Sequence, residues 1–318
     1  MQRLASHGTP RVVGAGEVLV ELGDHDIPVF LVTSGELEVV RPGLTTQETL
    51  IRLVGPGQFT GEINTLSGRR AFARIRARQN SDVVEIARAS LVALVQTDAT
   101  LSDIVMGAFI SRRVELVAQG LGDATLVGSS HSADTLRIKE FLTRNAHPFA
   151  YIDLERDADV ESVLAHFGVS AADTPVLICR GRTVLRNPMN REIASCLGFN
   201  EAVDETRVRD LVIVGAGPAG LAAAVYGASE GLDVLLLETF SPGGQAGASS
   251  RIENYLGFPT GISGNDLAGR AYTQAQKFGA QMLLTTGTRL ACDRRPYIVE
   301  LEGGARVPAR AVVLATGA

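Results

Sequence analysis

The sequence predicts a multidomain chain in which a β-roll with helices is followed by two α/β parts. A length of 318 residues is enough for two domains or for more small ones. Residues 10–88 contain short apolar runs separated by glycine-bearing turns, which is typical of a β-roll or barrel. Beyond residue 124 such runs alternate with helical patterns, which is typical of α/β structure. The three predicted parts are residues 1–118, 125–200 and 210–318.

The composition describes an ordinary globular chain that can bury real cores, with 45% hydrophobic and 20% charged residues. A net charge of −5 gives no sign of the basic face that nucleic-acid binding needs. The start, "MQRLASHGTPRVV", lacks the apolar centre of a signal peptide, and every long apolar run is broken before it could span a bilayer. We therefore expect a cytoplasmic protein with neither a nucleic acid nor a membrane as its partner.

The cysteines Cys179, Cys196 and Cys292 are few and scattered. Neither a disulfide framework nor a zinc site fits that spacing, and no CxxC motif occurs. We interpret all three as small apolar side chains without chemistry, and we predict no metal site.

The first part is predicted to contain strands in "EVLVEL", "VFLVTSGELEVV", "TLIRLVGPGQFTGEI", "AFARIRA" and "SDVVEIA". Residues 89–118 are apolar at helical spacing and predict one or two helices packed on these strands. The stretch "QGLGDAT", residues 119–125, is interpreted as a linker.

Two stretches of this part resemble the cyclic-nucleotide-binding domain: "VTSGELEVV", which is similar to its glycine-turn hairpin, and "GQFTGEINTLSGRRAFARIRA", which is similar to its phosphate-binding cassette. The resemblance implies that Glu62 bonds the ribose 2′-OH of a cyclic nucleotide. It also implies that N–H groups at Gly61 cradle the cyclic phosphate and that Arg70, or Arg69, pairs with it.

The cassette departs from the family pattern directly after the arginines. Ala71 and then Phe72 follow, where the family has a small or hydroxylated pair. The alternative to a nucleotide site is therefore a β-roll retained as a docking or dimerisation module without a ligand.

The second part is predicted to run strand, helix, strand, helix, hairpin and helix between residues 125 and 199. This order resembles the thioredoxin/glutaredoxin fold, including Thr174-Pro175 at the family's cis-proline, and implies an α/β thioredoxin-like domain. The strand-to-helix junction that carries the family's dithiol reads "SSHSADT" here. Without a thiol at that place we expect no disulfide exchange, and we interpret the module as a spacer or docking domain, or else as a peptide-binding platform. Residues 200–210 are predicted to be a linker.

The third part begins with a β-α-β pattern. The apolar run ending at Val214 predicts a strand buried on both faces. Gly215 permits a tight turn, Gly217 lets a pyrophosphate approach the backbone, and Gly220 lets the following helix pack closely. That helix is predicted over 218–230 and begins at Pro218 and Ala219.

The helix and the second strand, residues 233–237, complete a dinucleotide-binding unit. The helix N-terminus offers N–H groups and partial positive charge to a pyrophosphate. Glu238 ends the second strand about 20 residues beyond the glycines, where an acid can accept hydrogen bonds from ribose hydroxyls.

The sequence after Glu238 is similar to that of the thioredoxin-reductase family, through "PGGQ", "ENYLGFP" and a helix ending in "KFGA". The resemblance implies a Rossmann-type FAD-binding domain, present in part, with FAD as its cofactor. The strand before "ATGA" would follow a hairpin at Gly303-Gly304 and return beside the first strand. The further cofactor contacts that the resemblance implies are Gly243, Gly244 and Gln245 along the ribityl and pyrophosphate, Asn254 near the isoalloxazine, and Thr316 and Gly317 at the strand end.

The family continues with an NADPH-binding lobe that carries CxxC in disulfide reductases. This sequence contains neither a second glycine motif of the form GxGxx[GA] nor a CxxC motif. We therefore expect this chain to be the N-terminal portion of a longer polypeptide, to retain little FAD and not to turn over NADPH alone. The resemblance implies an NADPH-dependent FAD oxidoreductase and a homodimer, with thioredoxin or a ferredoxin as the acceptor. The alternatives are a same-fold flavin reductase without redox cysteines, passing electrons to a ferredoxin-like protein, and a non-catalytic binding protein regulated by a cyclic nucleotide.

Overall fold

A computed structural model of the protein describes residues 2–43, 48–157, 160–200 and 203–317. The chain divides into two units. The first runs through Thr143 and resumes from His147 to Gly198, and the second consists of Arg144–Ala146 and the chain from Phe199 onward.

The strands that open the first unit form a β-roll of two antiparallel sheets. They are β1 Thr9–Val13, β2 Val18–Val20, β3 Val29–Ser34, β4 Leu37–Pro42, β5 Glu48–Val54, β6 Arg74–Ala77 and β7 Ser81–Ile86. One sheet has the order β1-β7-β3 and the other β2-β6-β4-β5. The predicted β-roll is confirmed.

Helices cover one sheet of the β-roll. They are α1 Gln2–Ala5, α2 Ile63–Ser67, α3 Arg88–Thr97 and α4 Ala99–Gln119. Leu91 of α3 and Phe109 of α4 are fully buried with Ile86 of β7 in one core cluster. Asp98 ends α3 and starts α4, because its Oδ1 accepts a hydrogen bond of 3.1 Å from Leu101 N. The sequence predicts one or two helices over residues 89–118, and the structure has two there, α3 and α4.

The structure differs from the predicted strand pattern in the run 49–63. The strand β5 stops at Val54 because the chain turns at Gly57, which has a φ of +80°. The run ends at the helix α2, where Glu62 Oε1 accepts from Asn64 N at 3.0 Å and so caps the helix. The first strand, β1, was missing from the prediction.

No single helix within the described ranges is long and apolar enough to cross a membrane. The bent pair of α3 and α4 together meets the length and composition of a span, with an angle of 120° between them.

The second part of this unit has the predicted order of elements. They are β8 Ala124–Gly128, α5 Ala133–Arg144, β9 Phe149–Asp153, α6 Val160–His166, β10 Val176–Cys179, β11 Thr183–Arg186 and α7 Asn190–Cys196. The sheet order is β11-β10-β8-β9, with β8 parallel to β9 and β10 antiparallel to both of its neighbours. The Thr174–Pro175 peptide is cis, as expected. The linker predicted over 119–125 is shorter, because α4 continues to Gln119 and β8 starts at Ala124.

The second unit is built on one six-stranded sheet. Its elements are β12 Arg209–Val214, α8 Pro218–Ser229, β13 Val234–Glu238, α9 Gly264–Lys277, β14 Gln281–Leu284, β15 Gly287–Ala291, β16 Tyr297–Leu301 and β17 Arg306–Leu314. The sheet order is β14-β13-β12-β17-β16-β15. Of the linker predicted over 200–210, residues 201 and 202 lie outside the described residues.

The predicted β-α-β order and the return of the last strand are confirmed. The strand β12 pairs in parallel with β13 on one side and with β17 on the other. The strands β15, β16 and β17 form an antiparallel meander. The carboxyl ends of β12, β13 and β17 therefore meet at one edge of the sheet, where the predicted glycine loop begins.

Candidate functional site

The loop between β12 and α8 requires glycine at two of its three predicted positions. Gly215 has a φ of +104°, and a Cβ there would lie 2.3 Å from the carbonyl oxygen of Ala315. A Cβ on Gly220 would lie 1.8 Å from the carbonyl oxygen of Gly215. These two glycines allow the turn and the close packing of helix against strand that the sequence predicts.

Gly217 differs from the other two because nothing in the described chain requires a glycine there. Its φ of −66° and ψ of −178° are open to any residue, and a Cβ would have no atom within 4 Å. The bare backbone at Gly217 therefore faces open space beside the helix start. This is the arrangement that a cofactor lying against the loop would need.

The helix α8 starts directly behind that space. Pro218 occupies its first turn, where a missing N–H costs no hydrogen bond. The N–H groups of Ala219 and Gly220 lie in the same first turn, where an α-helix offers no acceptor of its own. The helix is 12 residues long, and its dipole favours an anion at this end.

Glu238 lies at the end of β13, with its carboxylate turned to backbone N–H groups. Its Oε2 accepts from Ala216 N at 2.8 Å, and its Oε1 accepts from Thr239 N at 2.9 Å and from Phe240 N at 3.0 Å. The residue is 8% exposed. Glu238 thus holds the glycine loop against the end of the neighbouring strand. Its predicted contact with a ribose hydroxyl stays a prediction, and the second lone pair of Oε2 could accept that hydrogen bond.

The segment "PGGQ" lies against the glycine loop. Gly243 N donates to Ala216 O at 2.7 Å, and a Cβ on Gly244 would lie 3.2 Å from the Cα of Gly217. Both glycines have positive φ, +100° at Gly243 and +53° at Gly244. The structure therefore brings these two predicted contacts to the same place as the glycine loop.

The last strand brings its end to the loop as well. Ala315 N donates to Val214 O at 2.8 Å. The Cα of Thr316 lies 3.1 Å from the position that a Cβ of Gly215 would take, and Gly317 follows with a φ of +79°. Thr316 and Gly317 are exposed beside the loop.

Gln245 and Asn254, by contrast, are both exposed, and their predicted cofactor contacts remain predictions. The backbone contacts of Ala216 and Ala315, which hold the site together, were not predicted. Such contacts leave no signal in side-chain type.

A second candidate site is a cavity of about 270 Å³ inside the β-roll. Its wall is mostly apolar, and Gly61 and Glu62 line it, while their contacts with a cyclic nucleotide stay predictions. Two arginines that the sequence reading did not select, Arg52 of β5 and Arg112 of α4, also line it. A small apolar ligand with one anionic group fits this lining.

Two of the polar residues at this cavity, Glu62 and Arg112, are already engaged with the protein. Glu62 forms an ion pair of 2.8 Å with Arg113, and both side chains are mostly buried. Arg112 donates to Gly61 O at 2.6 Å and to Phe59 O at 2.8 Å. Burial lowers the pKa of Arg112 to about 10, and the charge of Arg52 acts in the same direction.

The phosphate contact predicted for Arg69 or Arg70 stays a prediction, and Arg70 has other neighbours than Gly61 and Glu62. It does not line the cavity, and its Cδ lies 3.1 Å from the position that a Cβ of Gly198 would take. The residues that turn inward are Ala71 and Ala73, which are buried and do line the cavity. A guanidinium buried in that apolar wall would need a hydrogen-bonding or charged partner. The side chain of Arg70 is instead half-buried and does not line the cavity.

Comparison with known proteins finds a different family for each end of the chain. Residues 10–98 match the family model of the cyclic nucleotide-binding domain, and residues 209–318 match that of the pyridine nucleotide-disulphide oxidoreductases. The protein therefore carries a cyclic nucleotide-binding domain near its N-terminus and a pyridine nucleotide-disulphide oxidoreductase domain after residue 208.

The oxidoreductase end is related to thioredoxin reductases. Over 116 residues the chain is 38% identical to the thioredoxin reductase of Bacillus subtilis (strain 168), covering 36% of each protein. A solved thioredoxin reductase from Gloeobacter violaceus shares 34% identity over 36% of each chain, with a TM-score of 0.34. The Thermus thermophilus catabolite activator protein shares 25% identity over 45% of this chain and 62% of its own, also with a TM-score of 0.34. The chain spans about a third of the length of the first curated relatives it matches.

Proposed function

We propose that the second unit binds FAD at the glycine loop, as part of an NADPH-dependent oxidoreductase of the thioredoxin-reductase type. The observation that carries the proposal is Gly217, whose missing side chain leaves room that no residue of the described chain fills. The relation to thioredoxin reductases supports FAD over another dinucleotide. Thioredoxin, or a ferredoxin-like protein, is the proposed acceptor, and a homodimer the proposed assembly.

The residues of the loop have separate tasks in this proposal. The N–H groups of Ala219 and Gly220 would hold the pyrophosphate. Glu238 would keep the loop in shape through Ala216 N, and Gly243 and Gly244 would lie along the cofactor without obstructing side chains. Bound FAD would supply two-electron redox chemistry between NADPH and the acceptor.

Three domains are proposed: a cyclic-nucleotide-binding β-roll over 1–118, a thioredoxin-like domain over 125–200 and the FAD-binding part over 210–318. The middle assignment is supported by the sheet order β11-β10-β8-β9 and by the cis Thr174–Pro175 peptide. We propose that the first two act as a sensing or docking module for the flavin domain, in a cytoplasmic protein.

FAD binding is tested by titrating the full chain with FAD and following the quenching of flavin fluorescence. We expect weak binding that approaches one FAD per chain only at high flavin concentration, because the loop, the helix start and "PGGQ" form one continuous surface that makes part of the cofactor site. A tenfold excess of NAD⁺ should not displace the flavin. Failure to approach saturation at high flavin concentration, or displacement by NAD⁺, contradicts the proposal.

A second candidate function is regulation by a ligand of the β-roll, which the cavity and the family model of residues 10–98 favour. We expect calorimetry with cyclic AMP and cyclic GMP to show weak binding, since Arg70 lies outside the cavity lining. Arg52→Gln should weaken binding by roughly tenfold, because a charge-assisted hydrogen bond contributes about 1.5–3 kcal/mol. No heat with either nucleotide would support a docking module without a ligand.

A further inference from the structure

Two cysteines that the sequence reading treated as scattered lie side by side in the first unit. Cys179 is the last residue of β10 and is buried, and Cys196 is the last residue of α7 and is half-buried. Each thiol shifts the pKa of the other through a hydrogen bond, and Arg180, which follows Cys179 in the chain, contacts the Cys196 carbonyl oxygen at 2.8 Å. The structure therefore holds a dithiol in a place that no CxxC motif marks.

The fold explains how residues distant in sequence come together. Cys179 pairs with Ala124 of β8 on one side and with Thr183 of β11 on the other, so its strand is central in the sheet. The chain then turns back through β11, and α7 carries Cys196 to the same end of β10. The spacing of apolar residues shows neither this return nor its register, so the pair could not be predicted from the sequence.

A cation stands beside Cys196. Arg180 Nη2 donates to the carbonyl oxygen of Cys196 at 2.8 Å, and Arg180 Nε lies 3.6 Å from Asp123 Oδ2. Asp123 Oδ1 is 3.0 Å from His147 Nε2. The guanidinium thus lies between the backbone carbonyl of Cys196 and the carboxylate of Asp123.

The two thiols are made unequal by these contacts. The hydrogen bond from Cys179 lowers the pKa of Cys196, the charge of Arg180 acts in the same direction, and burial opposes both. The same hydrogen bond, with burial, raises the pKa of Cys179. A half-exposed thiol that ionises readily and a buried partner match the attacking and resolving cysteines of thiol–disulfide exchange.

We propose that Cys179 and Cys196 form a reversible dithiol–disulfide pair that exchanges with low-molecular-weight disulfides such as glutathione disulfide. This replaces the expectation that residues 125–200 exchange no disulfides, which rested on the stretch "SSHSADT" alone. It does not depend on the flavin proposal.

The exchange balances in two steps. The Cys196 thiolate attacks one sulfur of glutathione disulfide, the S–S bond of that molecule breaks, and one glutathione leaves as its thiolate. Cys179 then attacks the Cys196 sulfur, gives its proton to the second departing glutathione, and closes the protein disulfide. Two protein thiols are oxidised, and one glutathione disulfide is reduced to two glutathione molecules.

Cys179 becomes able to react once the first step is complete. The largest influence that raises its pKa is Cys196 itself. That influence ends when the Cys196 sulfur is bound in a mixed disulfide and carries no charge. The pair therefore favours the order in which Cys196 reacts first.

The test is to incubate the full chain with glutathione disulfide, alkylate the remaining thiols after denaturation, and map the peptides by mass spectrometry. We expect a peptide linked through Cys179 and Cys196, with exposed Cys292 found either alkylated or as a glutathione adduct. Dithiothreitol should restore all three thiols. A Cys196 that is oxidised no faster than Cys292, or a glutathione adduct on Cys196 that never resolves, would overturn the proposal.

Matched variants identify the role of each sulfur. Oxidation of the Cys179→Ala variant should stop at a stable glutathione adduct on Cys196. The Cys292→Ala variant should form the Cys179–Cys196 disulfide as the unchanged chain does. Cys196→Ala should slow oxidation of Cys179 by about tenfold or more, because the buried sulfur loses its accessible partner. Peptide mapping of the unchanged chain decides the proposal even if a variant fails to fold.

Discussion

Replacing Gly220 by alanine is expected to destabilise the second unit severely. The added Cβ would lie 1.8 Å from the Gly215 carbonyl oxygen and 2.9 Å from its carbonyl carbon. These are backbone atoms of a loop that Glu238 and β17 fix in place, so no flexible side chain can move aside. Overpacking a well-packed core costs about 1–3 kcal/mol and more against backbone, which is a large part of the stability of one domain.

Circular dichroism during urea unfolding and limited proteolysis measure this effect. We expect Gly220→Ala to make the chain after residue 198 sensitive to protease while the β-roll resists. Gly269→Ala is the matched control, because Gly269 is exposed in α9 and its Cβ would meet no atom within 4 Å. That variant should be as stable as the unchanged protein or slightly more so. Equal unfolding curves for Gly220→Ala and the unchanged protein would refute the packing argument.

Replacing Gly217 by valine is expected to leave the fold intact and to abolish FAD binding. The backbone at Gly217 has angles that valine adopts readily, and the first carbon of the new side chain would enter open space. The branched side chain would fill the approach to the helix start, where the proposed pyrophosphate site lies. We expect FAD affinity to fall by roughly 100-fold or more, which corresponds to about 2.8 kcal/mol.

Flavin fluorescence titration measures the affinity, and urea unfolding shows whether the variant is folded. Gly217→Ala should give a smaller loss than Gly217→Val, because it adds a single carbon to the same space. A valine variant that binds FAD as tightly as the unchanged chain would place the cofactor elsewhere. A variant that has lost stability would instead show that the space at Gly217 is needed by the protein itself.

The glycine loop was predictable from sequence because the local backbone requires glycine at two of its positions. Gly215 needs a positive φ, and Gly220 needs to lie against the preceding turn, and both requirements follow from a strand, a turn and a helix in succession. Glu238 could be placed at the end of its strand for the same reason. Its hydrogen bonds to three backbone N–H groups could not be predicted, since they depend on the path of the chain after the strand.

The side of the chain on which Arg70 lies could not be predicted, because the sequence shows which side chains are charged and not which way they turn. Ala71, one residue further on, lines the cavity and Arg70 does not. The strands β14 and β15 were missed for a related reason. The run of β14 is only four residues long, and β15 alternates weakly at one edge of the sheet, so neither is distinct without its neighbours.

The carboxylate of Glu238 has a consequence for how a loop can receive a ligand. A backbone that is already tied at Ala216, Thr239 and Phe240 has little freedom left to lose when a cofactor arrives. Ordering one free residue costs about 1–2 kcal/mol, so a loop shaped in advance keeps that amount available as affinity. A substitution at Glu238 would therefore weaken binding through entropy even if its oxygens never touched the ribose.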